Sequence, residues 1–175
     1  MTVNVVVGVD VDVDSRAMIR ICFVCLGNIC RSPTAHGVME HLVRERRLDD
    51  VIEVHSAGTG AWHVGARPDR RSEETARRRG FSLPGVAEHF TAADFDRFDR
   101  VLAMDRSNLE SLRRLARHDG DRSKLSLFRA FDPQATPHDD EVPDPYYGGP
   151  DGFELVFDMC ERTCAVLLDD LLRAR

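Results

Sequence analysis

The stretch Ile19-Arg20-Ile21-Cys22-Phe23-Val24-Cys25-Leu26-Gly27-Asn28-Ile29-Cys30-Arg31-Ser32-Pro33 decides the fold. Its first half is a short apolar run rich in β-branched and aromatic residues, suited to a strand buried on both faces of a parallel sheet. A tight polar turn follows. Pro33, favoured at the first position of a helix, then leads Ala35, Val38, Met39, Leu42 and Val43 at helical spacing. Strand, loop and helix thus occupy residues 19–47.

Working outward, residues 51–56 predict a second strand ending in Ala57 and Gly58. A loop holding Trp62 follows, and then a charged surface helix over 68–79 stopped by Gly80. Thr91 with Asp94 forms an N-cap pair opening a short helix, and 100–104 predicts a third strand. Ser107 with Glu110 makes a capping box for a helix over 108–117. Residues 124–128 predict a fourth strand and 152–173 a final amphipathic helix. Between these two lie residues 129–151 with five of the chain's eight prolines, too long a connection to be only a connector and therefore read as a functional loop. Strands alternating with helices imply right-handed crossovers and a parallel sheet covered on both faces, with ligand bound at the carboxyl ends of the strands.

One domain is expected from Met18 to Arg175. Residues 1–17, MTVNVVVGVDVDVDSRA, alternate valine with aspartate and are read as an N-terminal extension: a disordered tail or a mis-assigned start, with a strand as the other alternative. The first fourteen residues are acidic where a secretory leader would be basic, and no segment approaches the roughly 20 apolar residues of a membrane span. A net charge of -6 is not the basic footprint of a nucleic-acid binder. Arginine supplies all the cationic side chains except Lys124, a compositional bias without mechanistic weight. Five cysteines, Cys22, Cys25, Cys30, Cys160 and Cys164, are an odd count without framework spacing, which fits a reducing cytoplasm. Cys160 and Cys164 fall one helical turn apart and read as core; with no His or Cys cluster to complete a site, no metal or other cofactor is expected.

The turn after the first strand places Cys25 and Arg31 at the two ends of a loop that runs into a helix N-terminus. That arrangement suits a phosphate dianion, because successive backbone N–H groups curve into an anion nest, the helix dipole adds positive charge, and an arginine fork grips two oxygens. Gly27 and Asn28 are residue types that tolerate a left-handed backbone. The same field should lower the Cys25 pKa from its reference of ~8.5, and the Ser32 hydroxyl can donate to the sulfur. A nucleotide P-loop is excluded, because the Gly-Lys-Ser/Thr ending is missing.

Cys25-Leu26-Gly27-Asn28-Ile29-Cys30-Arg31-Ser32-Pro33 resembles the active-site signature of the low-molecular-weight protein tyrosine phosphatases. The resemblance runs from about Met18 to the C-terminus. It includes Ser56-Ala57-Gly58-Thr59, Met104-Asp105 followed by Ser107-Asn108-Leu109, and Asp144-Pro145-Tyr146-Tyr147. It implies the flavodoxin-like phosphotyrosine phosphatase I fold, a small doubly wound sheet of four parallel strands with helices on both faces. It implies metal-free hydrolysis of phosphotyrosine in proteins, with Cys25 forming a phosphocysteine, Arg31 binding the phosphoryl oxygens and the amides from Leu26 to Arg31 completing the cradle. Asn28 would hold the loop's left-handed turn with Ser32 and Ser56 as partners, and Asp105 would support the loop.

Expelling a phenolate whose parent has a pKa of ~10 calls for a proton donor, and Asp144 is the candidate, acting later as base toward the attacking water. Tyr146 and Tyr147, the only tyrosines, would flank an aromatic substrate, and the resemblance implies that a tyrosine kinase can act on either. Trp62 is read as the opposite wall, with a core role as the alternative. Cys30 is read as a redox partner of Cys25 or as a packing residue at the helix entry. Monomer or weak dimer is expected.

The pattern departs from the family in two places. Many members carry His and Arg in the segment aligned with Leu83–His89, where spacing to Thr91 puts Gly85 and Glu88, so a histidine bond to the Asn28 network is in doubt unless His89 supplies it. The usual Ala-Glu pair after Ser-Pro is replaced by Thr34-Ala35-His36. Three other readings use the same loop. An arsenate reductase on this scaffold needs relay cysteines near residues 80–95, and none is there. An arginine phosphatase usually resembles Gly-Asn-Thr where this chain has Ile29. A phosphotyrosine-binding module without activity would be expected to lack Cys25 or Asp144.

Overall fold

The computed structural model describes residues 18–174. The N-terminal extension expected over 1–17 lies outside the described residues. Four strands, β1 (Ile19–Cys25), β2 (Ile52–Gly58), β3 (Arg100–Ala103) and β4 (Leu125–Leu127), form one sheet in the order β2-β1-β3-β4, all pairs parallel. The helices are α1 (Arg31–Glu45), α2 (Arg70–Arg78), α3 (Arg106–Leu115), the short α4 (Asp119–Arg122) and α5 (Pro150–Arg173). This is the four-stranded parallel sheet expected from the alternation of patterns, in the doubly wound form that the family resemblance implies.

Alternate side chains of β1 enter two separate cores. Ile21, Phe23 and Cys25 pack with Val38 and Met39 of α1 and with Phe157, Cys160 and Cys164 of α5 on one face. Cys22 and Val24 pack with Phe90, Phe95 and Leu112 of α3 on the other. The period of two along a strand thus buries both faces, which is why β1 reads as continuously apolar from Ile21 to Cys25. At ~25 cal/mol per Å² of apolar area, such fully buried Phe and Ile side chains stabilise the sheet by roughly 1.5–3 kcal/mol each.

The local boundaries differ from expectation where distant groups intervene. α1 begins at Arg31, not Pro33, because the phosphate-type loop itself winds into the helix. α3 begins at Arg106 and is capped by Asp105, whose carboxylate accepts the Asn108 N–H, so the expected Ser107–Glu110 box is not the cap. The expected loop over 129–151 contains the end of a 3-10 turn (Phe128–Phe131), and its last residues open α5.

Candidate active site

The residues singled out in the sequence converge at the carboxyl end of β1. Cys25, Leu26, Gly27, Ile29, Cys30, Arg31, Trp62, Asp144, Tyr146 and Tyr147 line one cavity of about 160 Å³, joined by His63. Asn28 and Ser32 lie just beneath it, both buried.

The loop is held from within. The Ser32 hydroxyl lies 3.0 Å from the Cys25 sulfur and 3.3 Å from the Ala57 carbonyl, and accepts from Asn28 Nδ2 at 2.8 Å. The Asn28 N–H donates to the same sulfur at 3.3 Å. Hydrogen bonds aimed at sulfur stabilise negative charge there. Asn28 has φ 55, the left-handed turn expected of it, whereas Gly27 does not. Gly27 is instead a site of close approach: a Cβ there would stand 2.9 Å from His63 Cδ2.

Ser56 does not join Asn28. Its hydroxyl pairs instead with His36 Nδ1 at 3.1 Å. The vacancy at Asn28 is filled from another quarter, because Asn28 Oδ1 accepts the backbone N–H of Glu88 at 2.8 Å. A main-chain group therefore makes the bond that the Gly85 substitution put in doubt, and His89 is exposed. Gly85 itself has φ +71, a conformation that L side chains rarely adopt.

Arg31 is 3% exposed. It donates from Nη1 to Asp105 at 2.6 Å and to the Val142 carbonyl at 3.1 Å, and from Nη2 to Asp144 at 3.4 Å. Burial disfavours its charge, but the facing Cys25 sulfur, Asp105 and Asp144 outweigh burial and raise its pKa. Burial first, then Asp69, pushes the Cys30 thiol up to about 12, so Cys30 is a thiol at neutral pH. Trp62 is 65% exposed, which rules out the core alternative and leaves it on the cavity wall. Tyr147 is 93% exposed and meets Tyr146 edge-on at 4.9 Å between centroids.

The loop carrying Asp144 is anchored by residues that the sequence did not single out. Arg129, 1% exposed, donates to Asp132 at 2.8 Å, to Asp139 at 2.7 Å and to the Glu141 carbonyl at 2.8 Å. Arg162 of α5 grips Asp132 through both of its oxygens. The N–H of the buried Val142 donates to the Met104 carbonyl at 2.8 Å. Among the described residues no group of three or more His, Cys, Asp or Glu side chains could hold a metal ion, and no helix is long and apolar enough to cross a membrane.

Comparison with known proteins agrees with this geometry. A profile of the family described as low molecular weight phosphotyrosine protein phosphatase matches residues 20–175. A low molecular weight protein-tyrosine-phosphatase of Streptomyces coelicolor is 45% identical over 149 residues, 85% of this chain and 91% of that protein. The low molecular weight phosphotyrosine protein phosphatase of Homo sapiens is 38% identical over 155 residues, 88% of this chain and 96% of that protein. Among solved structures, a protein tyrosine phosphatase from Entamoeba histolytica with Hepes in its active site superposes with a TM-score of 0.84 at 34% identity, covering 89% of this chain and 98% of that one. A Drosophila arginine phosphatase superposes with a TM-score of 0.80 at 32% identity, covering 87% and 97%. A likeness that runs from β1 to the end of α5 places the chain in the low molecular weight phosphotyrosine protein phosphatase family.

Proposed function

We propose that this protein hydrolyses phosphotyrosine in proteins through a phosphocysteine intermediate on Cys25, without a metal. The observation that carries the reading is the shared cavity: a cysteine sulfur, a buried arginine and a carboxylate on a separate loop all face one space of about 160 Å³. In the first step the Cys25 thiolate attacks phosphorus while Arg31 and the loop amides take up the charge on the equatorial oxygens. Asp144 gives its proton to the departing phenolate as the P–O bond breaks. In the second step Asp144 takes a proton from water, the water attacks phosphorus, and the S–P bond breaks to return thiolate and inorganic phosphate. Ser32 stabilises the sulfur as nucleophile and as leaving group.

Trp62 on one wall and Tyr146 and Tyr147 on the other supply aromatic surface for a phenyl ring. The buried cysteines are all free, in keeping with a reducing cytoplasm. The substrate partner is a phosphotyrosine protein. The exposed Tyr147, or Tyr146, is in turn open to a tyrosine kinase, and the protein acts as a monomer or weak dimer.

The test is hydrolysis of p-nitrophenyl phosphate with EDTA present from pH 4 to 9, by wild type and Cys25→Ser. Turnover by wild type with an acid-shifted optimum and none by Cys25→Ser supports the reading. An inert wild type, or an active Cys25→Ser, sinks it. A phosphoarginine peptide, tested alongside a phosphotyrosine peptide, decides between the tyrosine reading and the chemistry named for the Drosophila neighbour.

A further inference from the structure

Arg71 lies in the first turn of α2, outside the cavity lining, yet it ties the Cys25–Arg31 loop to the segment that carries Asp144 and Tyr146. Its Nε and Nη2 donate to the two oxygens of Asp69 at 3.0 and 2.8 Å. Nη1 is left to donate to the Tyr146 carbonyl at 3.0 Å. The guanidinium sits 4.6 Å from the Phe153 ring centroid and 5.5 Å from that of Tyr146. Arg71, against burial, lowers the pKa of Asp69 and keeps the pair charged.

Each end of this pair reaches the chemistry. The Asp69 N–H donates to the Ile29 carbonyl of the phosphate loop at 2.7 Å. The Tyr146 N–H donates to Asp144 Oδ1 at 3.1 Å. Hydrogen bonds therefore run unbroken from Ile29 through Asp69, Arg71 and Tyr146 to the Asp144 carboxylate. Apart from these bonds, the Asp144 carboxylate is held among the described residues only by the 3.4 Å contact from Arg31.

We propose that Arg71 is a positioning residue for the general acid, setting the placement of Asp144 relative to the phosphate loop; the inference rests on the phosphatase reading above. A proton donor must come within hydrogen-bond reach of the leaving oxygen, and small misplacements are costly. Removing the fork frees the Tyr146 carbonyl and lets Asp144 drift, while Cys25 and Arg31 stay in place. The loss should therefore fall on substrates whose leaving group needs a proton.

The test compares kcat/KM, which reports P–O cleavage, for phenyl phosphate and for p-nitrophenyl phosphate, whose phenolate leaves readily without a proton. Wild type, Arg71→Met and Arg71→Lys are measured, with inorganic phosphate as competitive inhibitor and a thermal melt of each protein. Arg71→Met should lose about tenfold or more on phenyl phosphate, a part of the 10²–10⁴-fold typical of general acid catalysis. It should lose less than about threefold on p-nitrophenyl phosphate, with inhibition by phosphate unchanged, and Arg71→Lys should fall between it and wild type. An equal loss on both esters, whatever the melt shows, means a merely structural role and overturns the proposal. So does no loss on either. A wild type that hydrolyses neither ester overturns the phosphatase reading itself and this inference with it.

Discussion

Asp105 holds Arg31 with one carboxylate oxygen, 2.6 Å from Nη1, while its other oxygen accepts the Asn108 N–H at 2.7 Å and caps α3. One side chain thus fixes the proposed phosphate clamp and starts a helix. The two roles separate by substitution. Asp105→Asn keeps a good cap but removes the charge facing the buried Arg31, and should weaken inhibition by inorganic phosphate about tenfold and lower stability by roughly 1.5–3 kcal/mol, the contribution of a charge-assisted bond. Asp105→Ala should lose the same affinity and a further ~1 kcal/mol of stability in urea titration. Equal stability loss in both variants would contradict the division of roles.

Asn28 joins the loop to the segment around Gly85 and Glu88. Asn28→Ala removes the bonds to Ser32 and to the Glu88 N–H and places alanine at φ 55. It should cost about 2 kcal/mol of stability and lower kcat/KM at least tenfold. Glu88→Ala keeps the backbone donor and should stay within about twofold of wild type, because the bond is not made by the side chain. A large effect of Glu88→Ala on kcat/KM would sink this explanation.

Trp62 owes its place to Gly60. A Cβ at position 60 would stand 2.1 Å from Trp62 Cζ3, so Gly60→Ala must displace the indole. We expect KM for aryl phosphates to rise about fivefold, the value of roughly 1 kcal/mol of lost aromatic contact, with phosphate inhibition untouched. As the only tryptophan, Trp62 also reports the displacement directly through its fluorescence spectrum. An unshifted spectrum with unchanged KM would show that the wall is not where the indole stands.

Acid should loosen the anchor of the Asp144 loop. Burial opposes ionisation of Asp132, but Arg162, the Gln134 N–H and Arg129 outweigh it and hold the carboxyl at about 2. The folded value lies below the ~3.9 of an unfolded aspartate, so the stabilisation is present above that pH and is lost as pH falls toward about 2. Asp132→Asn should be less stable by about 3 kcal/mol at neutral pH and show a flatter stability curve between ~pH 5 and 2. Denaturant titrations across that window check this, and an unchanged slope would assign acid sensitivity elsewhere.

What the sequence could show was local. The apolar run of β1, the Cys25–Arg31 loop and the spacing on α1 are contiguous, and the periodicities of strand and helix expose them directly. Asp144, Tyr146 and Tyr147 stood out because a proline-rich loop that long is rarely idle. The rest depended on partners far along the chain. Nothing near Arg129 reveals that Asp139 and Arg162 converge on the same anchor, and nothing near Asn28 names a backbone donor at Glu88. Ser107 and Glu110 met the capping pattern, yet Asp105 took the cap because its carboxylate is fixed beside Arg31. Ser56 went to His36 for a similar reason: His36 on α1 faces β2 across the fold.

The most direct test of the central claim is to find the covalent intermediate. Asp144→Asn, which lacks the base for the second step, should accumulate phosphoenzyme when mixed with p-nitrophenyl phosphate, and rapid quenching, digestion and mass spectrometry locate the phosphoryl group. That group should be found on the Cys25 peptide in near-stoichiometric amount and be absent from Cys25→Ser. Phosphoryl on a different residue, or steady turnover with no phosphoenzyme at any time, would contradict it.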